Sequence, residues 1–210
     1  MSLFADKTVI DISRCMVPGK INNTFGTRRD LEVEPIIFRM KGMADSRMSI
    51  LTMHSHIGTH VEMPVHRFDH MMDVAQCPLD LLMGEVRLAD VTFAGKLAEL
   101  TTDDITLATD DDVRPDDTVI VFSSFAPENR PIITLSVVDW LIARGMRVLG
   151  FDSMAGISND AHDRALSANI PLLEELVNLD KVPVKRGTLI ALPIAVEGLD
   201  SCPVRAVIVV

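Results

Sequence analysis

The sequence predicts one α/β domain over residues 1–210 with parallel strands at its centre. Three observations carry that expectation. Thr118-Val119-Ile120-Val121-Phe122 reads as a buried strand. Leu135 to Arg144 then sets Val137, Val138, Leu141 and Ile142 at helical spacing and stops at Gly145. Arg147-Val148-Leu149-Gly150-Phe151-Asp152 follows as a second strand. A strand, a helix and a strand in that order imply a crossover, and crossovers join strands in parallel. A chain of 210 residues is long enough for a single core that buries roughly 70% of the unfolded surface, so no staple is needed. No linker, internal repeat or low-complexity segment divides it.

The other elements follow in chain order. Thr8 to Ser13 is a short β-rich run, and Pro18 to Pro35, rich in Gly, Asn and charge, reads as a loop that could lie over a site. Ser49 to His54 is a strand that ends in a histidine-rich stretch. Val86 to Val91 is a strand, and Thr102 to Leu107 a short helix capped by Thr101 or Thr102. Asp110 to Asp117 is an acidic turn around Pro115, read as solvated surface, since it lacks the spacing and closing Glu of an EF-hand calcium loop. Trp140 belongs to the core or to an interface. Asn159 or Asp160 caps a helix through Ala168 with His162 in its first turn. Ile170 to Leu176 fits helix or strand, while Thr188 to Leu192 and Arg205 to Val210 are closing strands.

Composition excludes several function classes. A net charge of -10, from 30 acidic against 20 basic residues, makes phosphate backbones and anionic membranes poor partners and favours a small molecule. No apolar run approaches 18 residues, and Asp6 and Lys7 interrupt any signal-peptide core. Cys15, Cys77 and Cys202 form no CxxC pair and read as reduced, buried thiols of a cytoplasmic protein. With 48% apolar residues and a mean hydropathy of +0.25, some apolar surface is expected between subunits.

The functional signal is Met53-His54-Ser55-His56-Ile57-Gly58-Thr59-His60-Val61-Glu62-Met63-Pro64-Val65-His66-Arg67-Phe68-Asp69-His70. Five of the six histidines lie between positions 54 and 70, with carboxylates among them. Neutral imidazole and carboxylate are ligands that zinc, manganese and iron share. Gly58 and Pro64 oppose a continuous helix, so an extended path is expected, with His54 and His56 projecting together before the turn at Gly58 and His60 and Glu62 together after it. His56, His60 and Glu62 would supply three ligands, and further ones must come from elsewhere. His162 and Glu174 are candidates, although a lone histidine at a helix start also serves as a hydrogen-bonded surface group. His54 and His70 read as surface residues or as supports for ligands, and His70, four residues after His66, could orient it.

The stretch resembles the cyclase family of metal-dependent hydrolases, which includes bacterial kynurenine formamidases and isatin hydrolases and carries HxGTHxDxPxH. This chain reads His56-Ile57-Gly58-Thr59-His60-Val61-Glu62-Met63-Pro64-Val65-His66, with Glu62 where the family has aspartate. Downstream, His162 and Glu174 keep the family's twelve-residue interval, and Ile170-Pro171-Leu172-Leu173-Glu174-Glu175-Leu176-Val177-Asn178-Leu179 is similar to IPIxENLxNL. Val9 to Ser13, Gly150 to Ser153, and Ala191-Leu192-Pro193 through Pro203-Val204-Arg205-Ala206 extend the resemblance along the chain.

What the resemblance implies is a swivelling β/β/α fold, commonly a homodimer or larger. His56, His60 and Glu62 would hold one divalent ion, zinc or manganese, and Glu62 with His162 a second, with Glu174 contacting both. His66 would be the proton donor and acceptor. The implied reaction is hydrolysis of a small amide, formamide, lactam or lactone by metal-activated water. A lyase or cyclase acting through an enolate, or a catalytically silent metal-binding protein, stays open beside it. Kynurenine formamidases place a Trp over their substrate; Phe25 is the nearest aromatic here, and Asp152, at a strand's C-terminal end, is a second substrate-binding candidate.

Overall fold

The computed structural model describes residues 5–22, 31–39 and 41–210. Phe25 lies outside the described residues. In chain order the elements are β1 (Val9–Asp11), β2 (Leu31–Phe38), β3 (Ser46–Met53), β4 (His60–Glu62), β5 (Met83–Asp90), α1 (Thr102–Ala108), β6 (Thr118–Phe122), α2 (Leu135–Ala143), β7 (Val148–Phe151), α3 (Asn159–Ser167), β8 (Leu172–Glu174), β9 (Arg186–Ile190), β10 (Ser201–Pro203) and β11 (Val207–Val209). Short 3₁₀ turns link several of them.

Among the described residues nine strands form one sheet in the order β1-β11-β9-β5-β6-β7-β8-β4-β10, and β2 pairs with β3 alone. The centre is parallel, β5 with β6, β6 with β7 and β7 with β8, as the alternation of buried strands and amphipathic helices requires. Both flanks are antiparallel.

Alternate residues of the central strands feed two cores. Val119, Val121, Leu149, Phe151 and Leu172 face the helices and pack on Ile105, Val137, Val138, Leu141, Ala161 and Ala165. Ile120, Val148 and Leu173 face the other way and meet Ile12 and Ile208 from one flank and Val61 and Cys202 from the other. Strands from opposite ends of the sheet order share that second core, so the sheet curls over on itself. Backbone bonds from Val177 N to Ile12 O (3.0 Å) and from Ile12 N to Ala206 O (3.0 Å) tie the segment after β8 to the β1 flank. The result is a mixed α/β architecture of two β layers and one helical layer.

Several sequence expectations are corrected. The stretch from Pro18 to Pro35 is not all loop, because β2 begins at Leu31. The acidic run is not merely solvated: Asp110 to Asp117 pair with Arg87, Arg114, Arg144, Lys185 and Arg186, and Asp117 is buried. The cap of α3 is Ser158, while Thr101 caps α1 in a reciprocal capping box with Asp104. Of the cysteines only Cys202 is buried; Cys15 is exposed. Trp140 is half-buried at the edge of the helical core, with the Arg144 guanidinium 3.9 Å above its ring.

Candidate metal centre

The site is built where the antiparallel flank meets the parallel centre. β4 is only three residues long, but its alternation sends Val61 into the curled-sheet core and turns His60 and Glu62 to the helical face. Its register with β8 sets His60 opposite Glu174 and Glu62 opposite Leu172, so His60, Glu62 and Glu174 share one face as cross-strand neighbours. Helix α3 crosses that face and lowers His162 from its first turn. His66 arrives from the 3₁₀ turn Pro64–His66 immediately after β4. His56 stands ahead of Gly58, whose φ of +60° reverses the chain before β4. A Cβ at Gly58 would lie 2.8 Å from Met16 Cγ, so the turn is closely packed.

The side chains converge. His162 Nε2 lies 2.7 Å from Glu62 Oε1, and His56 Nδ1 lies 3.1 Å from Glu62 Oε2. His66 Nε2 is 3.6 Å from Glu62 Oε2, His60 Nε2 is 3.4 Å from Glu174 Oε2, and His162 Nε2 is 3.9 Å from Glu174 Oε1. Among the described residues two groups place their ligand atoms within 4.8 Å of one another: His56, Glu62 and His66, and His60, Glu62 and Glu174. Glu62 belongs to both, as a bridging carboxylate would. His66 stands close enough to ligate as well as to exchange protons.

Satisfaction of these atoms tests whether a cation fits. His60 Nδ1–H donates to the Gly58 carbonyl at 2.8 Å, which leaves Nε2 bare and turned inward. Among the described residues, His60 Nε2, Glu62 Oε1 and both Glu174 oxygens are buried and make no hydrogen bond, the contacts from His162 to Glu62 at 2.7 Å and from His60 to Glu174 at 3.4 Å being ion-pair approaches. Glu62 is 1% exposed and Glu174 0%. Two buried carboxylates with orphaned lone pairs are costly unless a cation meets them, and a mixed imidazole and carboxylate set suits zinc or manganese. The donor set therefore fits a divalent ion.

Protons answer part of this charge in the protein as described. Burial alone would push the His56 imidazole down, but hydrogen bonds to Glu62 and Asp200 outweigh it and hold it at about 9. Burial likewise works to raise the Glu62 carboxyl, yet contacts from His162 and His56 bring it down to about 2. His162 is raised by the Glu62 and Glu174 carboxylates against its own burial. A metal ion bound here would displace such protons, since ligands must be deprotonated to bind it.

One participant carries little signal in the sequence. The Asp200 carboxylate accepts from His56 Nε2 at 2.8 Å and from His66 Nδ1 at 3.0 Å, both on Oδ2, while Ser55 Oγ donates to Oδ1 at 3.0 Å. These contacts span 134 to 145 positions of sequence and exist only because β10 pairs with β4. The single pointer is a Gly-Leu-Asp turn inside the C-terminal stretch that carries the family resemblance. His70 is exposed with φ of +70°, and Asp200 meets the ring nitrogen it was expected to orient. His54 is exposed just past the end of β3.

Neighbouring glutamates take opposite parts. Glu175, with φ of +57°, turns away from the cluster and is buried against Arg14 at 2.9 Å, while its carbonyl accepts from Thr59 Oγ at 2.7 Å. Asp152 joins a different group. It accepts from Ser123 N at 3.1 Å, pairs with Arg130 at 2.9 Å, and lines a cavity of about 350 Å³ with Arg14, Ser123, Arg130 and Asn178. None of the clustered histidines lines that cavity.

The chain is similar to known proteins over most of its length. A family model described as "Putative cyclase" matches residues 8–156. That region holds His56 to His66 and Asp152 but ends before His162, Glu174 and Asp200. The kynurenine formamidase of Maricaulis maris (strain MCS10) is 30% identical over 175 residues, which cover 77% of this chain and 80% of the relative. The solved structure of an isatin hydrolase bound to the product analogue thioisatinate superposes with a TM-score of 0.79 at 19% identity, over 98% of this chain and 93% of that one. Isatin hydrolase A from Labrenzia aggregata, bound to benzyl benzoate, gives a TM-score of 0.79 at 18% identity, over 97% and 94%. At such identities these likenesses are ones of fold.

Proposed function

The chain belongs to the cyclase family, and we propose that it is a metal-dependent hydrolase that cleaves the C–N bond of a small amide, formamide or lactam, or the C–O bond of a lactone. The observation that carries this reading is the set of orphaned buried ligand atoms on His60, Glu62 and Glu174, with His66 beside them. The kynurenine formamidase relative and the isatin hydrolase fold favour a substrate of the aryl formamide or cyclic amide class.

His56, His60 and Glu62 would hold one zinc or manganese ion, and Glu62 and His162 a second, with Glu174 reaching both. A divalent ion held there supplies Lewis acidity and lowers the pKa of water from 15.7 to about 7. His66 contributes through Nε2, the nitrogen that faces Glu62 at 3.6 Å. It takes a proton as the water oxygen adds to the substrate carbonyl carbon, and it returns that proton to the nitrogen or oxygen as the old bond breaks. Such transfer is worth typically 10²–10⁴ in rate. The shelter of His60 and Glu174, both 0% exposed, strengthens electrostatic contacts in the site.

Two further readings accompany this. The β2–β3 ribbon exposes Val33, Ile37, Phe38, Met48, Ile50 and Leu51, apolar surface of the kind that copies of a chain cover in a homodimer or larger assembly. The unpaired cysteines favour a reducing, cytoplasmic setting for what we take to be one domain over residues 1–210. Among the described residues no helix is long and apolar enough to cross a membrane.

Metal analysis of the purified protein, followed by assay of the zinc-loaded and manganese-loaded forms against aryl formamides, isatin and small lactones, tests the proposal. Bound metal with hydrolysis of one of these classes is expected. Bound metal with elimination or cyclisation products would replace the hydrolase by a lyase, and an absence of both metal and turnover would leave a silent member of the family.

A further inference from the structure

We propose that Asp200 is a positioning residue that fixes, with one carboxylate oxygen, which nitrogen carries the proton on both His56 and His66. Carboxylates accept and do not donate, so the 2.8 Å contact puts a proton on His56 Nε2 and the 3.0 Å contact puts one on His66 Nδ1. The two rings therefore present opposite nitrogens to the cluster. Without metal, His56 Nδ1 also carries a proton, toward Glu62 Oε2 at 3.1 Å; a bound ion would displace that proton and leave Nδ1 as the ligating nitrogen, while His66 turns Nε2 to the same oxygen at 3.6 Å. His56 thereby has the carboxylate-to-imidazole support that ligating histidines ordinarily receive. His66 has the arrangement of a general base whose far nitrogen is held by an acid.

Asp200 can do this because its backbone is pinned on both sides. Met63 N donates to Asp200 O at 2.8 Å, and Val74 N donates to Leu199 O at 3.0 Å. Gly198, with φ of +78°, donates from its N–H to Asp73 Oδ2 at 2.8 Å. On the other side Ser201 is opposite Glu62 in the β10–β4 pairing, and its hydroxyl donates to Val61 O at 2.9 Å. The turn that carries Asp200 is thus built onto the strand that carries His60 and Glu62. Without it, the rings of His56 and His66, whose centroids are 4.6 Å apart, lose the carboxylate that meets their outward nitrogens, while Glu62 Oε2 meets the opposite ones.

The kinetic part of this inference rests on the reading of His66 as the proton carrier; the tautomers and the metal affinity do not. Long-range ¹H–¹⁵N spectra of the zinc-loaded protein report the protonated nitrogen of each imidazole directly. In the wild type, His66 is expected to be protonated at Nδ1 and His56 at Nε2. In Asp200→Ala, His66 shifts to the Nε2–H form or a mixture, and zinc affinity, measured by chelator competition, falls about 10–100-fold. The kcat on the best substrate falls about 10²–10⁴-fold, with KM changing less than about threefold. Ser55→Ala, which removes only the Oδ1 contact, moves the same readouts by a few-fold and serves if Asp200→Ala does not fold. A wild-type spectrum with His66 protonated at Nε2 overturns the proposal, as does an Asp200→Ala protein with unchanged tautomers and zinc affinity. If the tautomers and affinity shift as expected while His66→Ala keeps full turnover, Asp200 keeps its positioning part and the assignment of His66 fails.

Discussion

Shortening Glu62 by one methylene tests how closely the cluster is tuned. Glu62 reaches His162 Nε2 at 2.7 Å with one oxygen and His56 Nδ1 at 3.1 Å with the other, from a strand fixed by pairing on both sides to β8 and β10. Glu62→Asp withdraws both oxygens by about 1.5 Å, the length of one C–C bond. Functional metal distances hold within about 0.2 Å, so the carboxylate cannot remain a ligand of both candidate groups without movement of β4. A drop of at least about tenfold in zinc or manganese affinity is expected, equivalent to about 1.4 kcal/mol or more. Native mass spectrometry should show the bound stoichiometry falling in the same variant. Chelator competition measures the affinity. A Glu62→Asp protein that binds the same number of ions as tightly as the wild type would show that the carboxylate position is not tuned to the cluster. It would mean that aspartate and glutamate are equivalent at this position because the strand adjusts.

Two more predictions concern His66 and Asp152. His66→Ala is expected to keep its metal, measured by elemental analysis, and to lose about 10²–10⁴ in turnover; loss of the metal instead would make His66 a ligand. Burial raises the Asp152 carboxyl from 3.8 to about 6, with Arg130 pulling it back only in part. The folded state thus holds this proton more tightly than the unfolded chain does. Its favourable contribution is present below about pH 4 and is lost as pH rises through about 6, on the order of 3 kcal/mol for about two pKa units. In urea unfolding from pH 4 to 7, the stability of the wild type minus that of Asp152→Asn should therefore fall with rising pH. Parallel curves would show that the carboxyl is not held in its neutral form.

What can be read from the sequence depends on how locally each feature is encoded. The strand at β6 and the helix at α2 are legible because nearly every residue of one and a full face of the other is apolar. The candidate ligands His56, His60 and Glu62 are legible because the chain brings them together within seven positions, and the extended geometry at His60–Glu62 follows from two-residue alternation. Strand β4 itself is too short to announce its ends between Gly58 and Pro64, and β8 fits helix or strand equally because Leu172 to Glu174 has no period of its own. Strand β2 is hidden by Glu32, Glu34 and Pro35, which are unremarkable in a loop and stand here on an exposed ribbon. Asp200 is illegible for a deeper reason. Its partners are set by the β10–β4 register, which no nearby residue specifies, and a single aspartate in a turn looks like any other.

The buried His and Glu cluster is proposed to work as a metal-loaded hydrolytic site. Titrating chelator-treated protein with zinc or manganese, while hydrolysis of an aryl formamide or isatin is followed, tests it most directly. No turnover is expected without metal, and activity is expected to rise to a plateau at one or two ions per chain. Turnover that ignores added metal, or a plateau of bound metal with no hydrolysis of either class, would contradict it.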